Sequence, residues 1–229
     1  MIDARDAALQ QSCPVIAAPM FGALPPMAHG QRIVLAKNGV FIQVKRAWLD
    51  SLQQVGVLDP RLPLPYGEIA PVTAFSFGVI PVTLLQAFID AGRAALPNEI
   101  AGGLIYTQRT GMLRLALYEP IEHSPDGIAY RMPDLLRDEA VAVDLHTHGR
   151  HAAFFSTTDD EDDRCVKVAG VFGNLDQARP SAAFRLVING LYKRLPHPWE
   201  TRRDEGLEND GRWPTLESMG DTARQEWNM

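Results

Sequence analysis

The stretch that most constrains this chain is "AVAVDLHTH", residues 140–148. Apolar and polar residues alternate through it, the signature of a β-strand with one buried face. Val141, Val143 and Leu145 are predicted to enter the core, which turns Asp144, His146 and His148 to the opposite face. Two imidazoles two residues apart on one face can converge on one ion. Zinc takes imidazole nitrogens and carboxylate oxygens at about 2.0–2.2 Å, and a catalytic site keeps three protein ligands and an open position. Asp159, eleven residues beyond His148, is the candidate third ligand if the helix beginning at "STTDDEDDR" packs back on the sheet. The bland alternatives are hydrogen-bonded strand histidines, a Ser156/Asp159 helix cap, and a solvated acidic first turn in "DDEDD". That run lacks the alternating ligands and central glycine of an EF-hand loop.

Around this strand the order is mixed. "RIVLAKNGVFIQVKRAW" (32–48) predicts a β-hairpin with a type I′ turn at Asn38-Gly39. Prolines at 60, 63, 65 and 71 then mark connecting chain. Apolar residues at helical spacing predict a helix from Val82 to Ala95, stopped by Pro97. "GGLIYTQ", "MLRLALYEPI" and "GIAYRMP" read as strands, "DLLRDE" as a helical turn, and "VKVAGVFGN" and "AAFRLVING" as further strands. The domain expectation is an N-terminal module over 1–72, a main domain over 73–195 and a polar tail over 196–229, with a short helix near "MGDTARQEW". Strands outnumber helices, which predicts an α/β (α+β) fold: a mixed sheet with flanking helices and a small N-terminal β-containing module.

A net charge of −6 argues against a nucleic-acid binder working through a basic footprint. Two cysteines, Cys13 and Cys165, form no CxxC pair, and Cys165 is expected to pack in the sheet. The N-terminus has no basic region before an apolar core, so it does not read as a signal peptide. No apolar run approaches a membrane span. A cytoplasmic location is the expectation.

The arrangement His146-x-His148, seven residues, Ser156-x-x-Asp159 resembles the JAMM metalloprotease family, also called MPN+ or JAB. "NEIAGGLIY" adds Glu99 after a helix and before a glycine-bearing strand with Gly102 and Leu104, similar to the family's upstream glutamate. The resemblance implies a JAB/MPN-like, cytidine-deaminase-like sheet, one Zn2+ per chain on His146, His148 and Asp159, Glu99 as catalytic acid/base, and Ser156 as donor to the oxyanion. It also implies a peptidase or isopeptidase acting on the C-terminal tail of a ubiquitin-like or sulfur-carrier protein, in the company of an E1-like (ThiF) enzyme. Nucleic acid and membrane are not among the implied partners. The length, the N-terminal module and the HTHG variant are similar to the JAB-domain member of the plasmid-associated PRTRC cassette. One departure is Gly149, where the family usually has proline. A non-catalytic scaffold of the same fold is the competing reading, although such members usually lack part of the motif. A zinc nucleobase deaminase would need H-x-E and P-C-x-x-C, and neither occurs.

Overall fold

The computed structural model describes residues 2–125 and 127–196. The chain divides into two compact units between Ser76 and Phe77. In the first, α1 (Ala4–Ser12) precedes β1 (Val15–Ala17), β2 (Gly30–Ala36), β3 (Gly39–Arg46), β4 (Leu49–Gly56) and β5 (Val72–Phe75). These strands form one sheet in sequence order, with β1 parallel to β2 and the other neighbours antiparallel. Val34, Ala36, Phe41 and Leu52 make its buried cluster, because the period-2 pattern of β2–β4 puts alternate apolar residues on one side.

The hairpin forms, but its turn differs from the expected one. Ala36 pairs with Gly39, so the two central residues are Lys37 and Asn38. Neither has positive φ, which excludes type I′. Gly39 carries the unusual angle instead, at φ 154°, and a side chain there would strike the Gly56 carbonyl.

The second unit contains α2 (Val82–Ala95), β6 (Ala101–Thr107), β7 (Met112–Leu117), β8 (Glu119–Ser124), β9 (Gly127–Arg131), β10 (Glu139–Thr147), α3 (Thr157–Asp162), β11 (Val166–Gly173), β12 (Ser181–Ile188) and β13 (Leu191–Leu195). Six strands make a mixed sheet in the order β13-β12-β11-β10-β6-β7, and β8 and β9 form a separate hairpin. The α+β architecture expected from the strand-rich order is the one observed.

Only β10 and β11 run parallel in the large sheet. Parallel neighbours need a crossover connection, and α3 lies in it. That topology brings Asp159 back over the face from which His146 projects. α2 covers the other face, burying Leu85, Phe88 and Ile89, with the Phe88 ring 5.8 Å from that of Phe172.

Four local expectations fail. Residues 134–139 form no helix; six residues are too short a nucleus to persist alone. "MLRLALYEPI" breaks at Tyr118, so its second half joins the β8–β9 hairpin. In β10 the register with β6 shifts between Val141 and Val143, so Ala142 is buried and Val141 only partly; a bulge resets the alternation. Cys165 is exposed just ahead of β11 rather than packed in the sheet. The tail beyond Pro196, with its expected helix, lies outside the described residues.

Candidate metal centre

β10 is hydrogen-bonded on both sides, to β6 and to β11, and so holds its side chains firmly. His146 pairs with Ala101 and Val171 across the two ladders. Just past the strand, the His148 N–H donates to the Phe172 carbonyl at 2.8 Å, and the His148 ring packs edge-on to Phe154 at 4.6 Å. Glu99 arrives from the opposite side. Its N–H donates to the Ser124 carbonyl, and the next residue is locked to β10 by two bonds: Ile100 N–H to Thr147 Oγ1 at 2.9 Å, and Thr147 N–H to the Ile100 carbonyl at 3.0 Å. Glu99 is only 7% exposed.

Gly149 leaves the strand at φ 53°, a left-handed angle closed to proline, whose ring holds φ near −65°. A Cβ there would also come within 3.1 Å of the Pro97 carbonyl oxygen. The loop after the second histidine therefore uses a different backbone from one built on proline.

Asp159 is placed by the N-terminus of α3. Ser156 is the N-cap, and the two residues form a capping box. Asp159 N–H donates to Ser156 Oγ at 3.2 Å, while the Ser156 N–H and hydroxyl both donate to Asp159 Oδ2, at 2.6 and 2.7 Å. The other carboxylate oxygen, Oδ1, is thereby turned to His146 Nε2 at 3.2 Å. His146 Nε2 lies 3.2 Å from His148 Nε2. All three ligand atoms fall within 4.8 Å of one another, the one such group of three among the described residues.

Donors about 2.1 Å from a tetrahedral ion stand roughly 3.4 Å apart, so the two 3.2 Å separations suit zinc. Protonation suits it too. Burial pushes both imidazoles below the ordinary histidine value, which outweighs the opposing pull of Asp159 and leaves neutral rings at pH 7. Burial alone would raise Asp159, but His146 and the hydrogen bonds from Ser156 hold its carboxyl below the usual range. The donor set thus fits a cation: two neutral nitrogens and one carboxylate. Glu99, His146, His148, Ser156 and Asp159 share the wall of one cleft of about 430 Å³.

A profile described as prokaryotic homologs of the JAB domain matches residues 81–187. The second unit is JAB-like. A domain of unknown function, DUF2016, matches residues 3–76. No curated protein matches the chain. Among solved structures, the solution structure of protein DSY2949 from Desulfitobacterium hafniense is similar at a TM-score of 0.39 and 14% identity, covering 49% of this chain and 85% of that one. A JAB-like domain supports a hydrolase or scaffold role, and domains of that family often bind zinc. No helix among the described residues is long and apolar enough to cross a membrane.

The JAB-like domain also holds residues near the centre that the motif did not reveal. Phe154 walls His148, and His151, outside the family pattern, lines the same cleft. Lys167 pairs with Asp144, two residues before His146, and with Asp163 at 2.7 Å. Arg185 is 6% exposed and pairs with Asp160 and Asp163. A signal for it existed: an arginine between Phe184 and Leu186 in an otherwise apolar strand requires buried partners.

Proposed function

We propose that the JAB-like domain is a zinc-dependent peptidase or isopeptidase that hydrolyses a bond at the C-terminal tail of a ubiquitin-like or sulfur-carrier protein. The observation that carries this reading is the meeting of His146 Nε2, His148 Nε2 and Asp159 Oδ1 on a cleft that also receives a buried glutamate.

His146, His148 and Asp159 are the residues that would hold the ion. Bound zinc supplies a Lewis acid for the scissile carbonyl and lowers the pKa of water towards neutrality. Glu99, as its carboxylate, accepts the proton of the attacking water and returns it to the leaving nitrogen as the C–N bond breaks. The products are an amine and a carboxylic acid, which gives up the water's second proton at neutral pH, and Glu99 ends as it began. Ser156 is the proposed donor to the tetrahedral oxyanion. To serve, its hydroxyl must turn away from Asp159 Oδ2, which it now bonds. Trimming such a tail exposes the carboxylate that an E1-like (ThiF) enzyme activates, which makes that class of enzyme the expected partner.

The test uses the whole chain, with zinc content measured by atomic emission. Cleavage is followed by mass spectrometry on ubiquitin-like and sulfur-carrier proteins carrying C-terminal extensions or isopeptide-linked conjugates. About one zinc per chain with release of the extension or conjugate is expected. A chain that takes up no zinc, or a zinc-loaded chain that binds these proteins without cutting them, overturns the enzyme and leaves the scaffold.

A further inference from the structure

Asp159 rides on a helix of six residues, none of them buried. So short a helix does not persist on its own, because its nucleation cost exceeds what a few backbone bonds return. Ser156 secures the N-terminal end. The C-terminal end is secured by Arg185, which projects from β12. Its Nε and one terminal nitrogen donate to Asp163 Oδ2 at 3.1 and 2.8 Å, and its other terminal nitrogen donates to Asp160 Oδ1. The guanidinium lies between two rings, 3.9 Å from the centre of Phe155 and 4.1 Å from that of Tyr192. Tyr192 in turn donates its hydroxyl to the Asp160 carbonyl at 2.7 Å.

Asp163, 4% exposed, passes the linkage on: its second oxygen takes Lys167 Nζ, which also bonds Asp144. An unbroken chain of ions therefore runs from Asp144, beside His146 on β10, through Lys167, Asp163 and Arg185 to Asp160, the neighbour of Asp159. It joins the strand that carries the histidines to the helix that carries the carboxylate, without using any of the three ligand atoms. Buried ion pairs add little net stability, but breaking one is costly, and they fix geometry. Arginine suits the task because its flat fork bonds two carboxylates while stacking on rings.

We infer that Arg185 is a positioning residue for the metal centre: acting through Asp160 and Asp163, it holds Asp159 at ligating distance from His146 before an ion arrives. This rests on the metal reading above. A purely structural role would lower stability and leave the metal affinity of the folded protein alone.

The experiment compares full-length wild type with Arg185→Met, Arg185→Lys and Tyr192→Phe. Zinc affinity is read by chelator competition, cobalt(II) absorption reports coordination geometry, and near-ultraviolet circular dichroism of the metal-free protein confirms folding. Loss of an outer partner of a metal ligand commonly weakens binding about 10–100-fold. Arg185→Met is expected in that range, with a weaker cobalt band as the site opens from tetrahedral. Arg185→Lys restores part of the loss, and Tyr192→Phe loses a few-fold. A folded Arg185→Met with wild-type zinc affinity and cobalt spectrum overturns the inference. If Arg185→Met does not fold, wild-type affinity in both Arg185→Lys and Tyr192→Phe overturns it. Wild type that binds neither ion sinks the parent metal reading, a result distinct from either of these.

Discussion

The two halves of the candidate metal centre are built on unlike foundations. His146 stands on β10 and His148 one residue past its end, and that strand is central, bonded along both edges and backed by the apolar face that α2 covers. Asp159 stands on a single exposed helical turn and a half, held by a capping box and by ions. Backbone ladders and apolar packing fix one half; side-chain polar bonds fix the other. The lesson is that damage to the site should come mostly through the helix, where a single hydrogen bond is a large part of the support.

Several changes would break or sharpen that contrast. The largest concerns neither half but the glutamate facing both. Glu99→Gln is expected to keep its zinc and lose about 10²–10⁴-fold in turnover, the usual worth of a general acid–base group; zinc analysis beside a cleavage assay checks it. Asp159→Ala removes the helix's contribution and is expected to drop zinc content well below one per chain while the fold, read by circular dichroism, persists.

Restoring the family's residue with Gly149→Pro should destabilise rather than repair, by more than about 1 kcal/mol in a denaturant titration, since proline cannot adopt the angle seen there. A matched pair then tests the asymmetry directly. Ser156→Ala removes a helix cap worth about 1 kcal/mol, and Thr147→Val strips the Ile100 N–H of its partner at a cost of about 1–3 kcal/mol. Only Ser156→Ala is expected to weaken zinc binding; equal losses from both would erase the distinction between strand and helix.

The smallest effect is one of pH on the metal-free chain. Burial depresses the His146 and His148 pKa values in the folded state, so the unfolded chain binds more protons below about 6.5. Stability is therefore whole above that pH and declines as pH falls through the depressed folded values. Thermal melts in chelator between pH 7.5 and 5.5 should show Tm dropping, and flat melts would count against the buried neutral rings.

Much of this architecture was legible in the amino-acid sequence because it rests on period. The 3.6-residue spacing from Val82 to Ala95 marked α2, and alternation marked β10 with His146 and His148 on one side. What escaped depends on relations period cannot express. The hairpin turns at Lys37-Asn38 because β2 and β3 pair Ala36 with Gly39, a register that the Asn-Gly dipeptide alone does not set. Tyr118 ended a run that looked continuous because the next residues pair with a different partner strand. Arg185, Lys167 and Asp144 are distant in sequence, and their linkage exists only once three strands and a helix are assembled.

The parallel pairing of β10 with β11 has one more consequence. The three candidate ligands lie in a single segment from residue 146 to 159, closed by one short loop, whereas Glu99 reaches the same cleft from across a whole meander and hairpin. Short closures form at lower entropic cost than long ones. On the proposed reading, the ligand trio would close over a short loop, while Glu99 would depend on the longer-range pairing of β6 with β10.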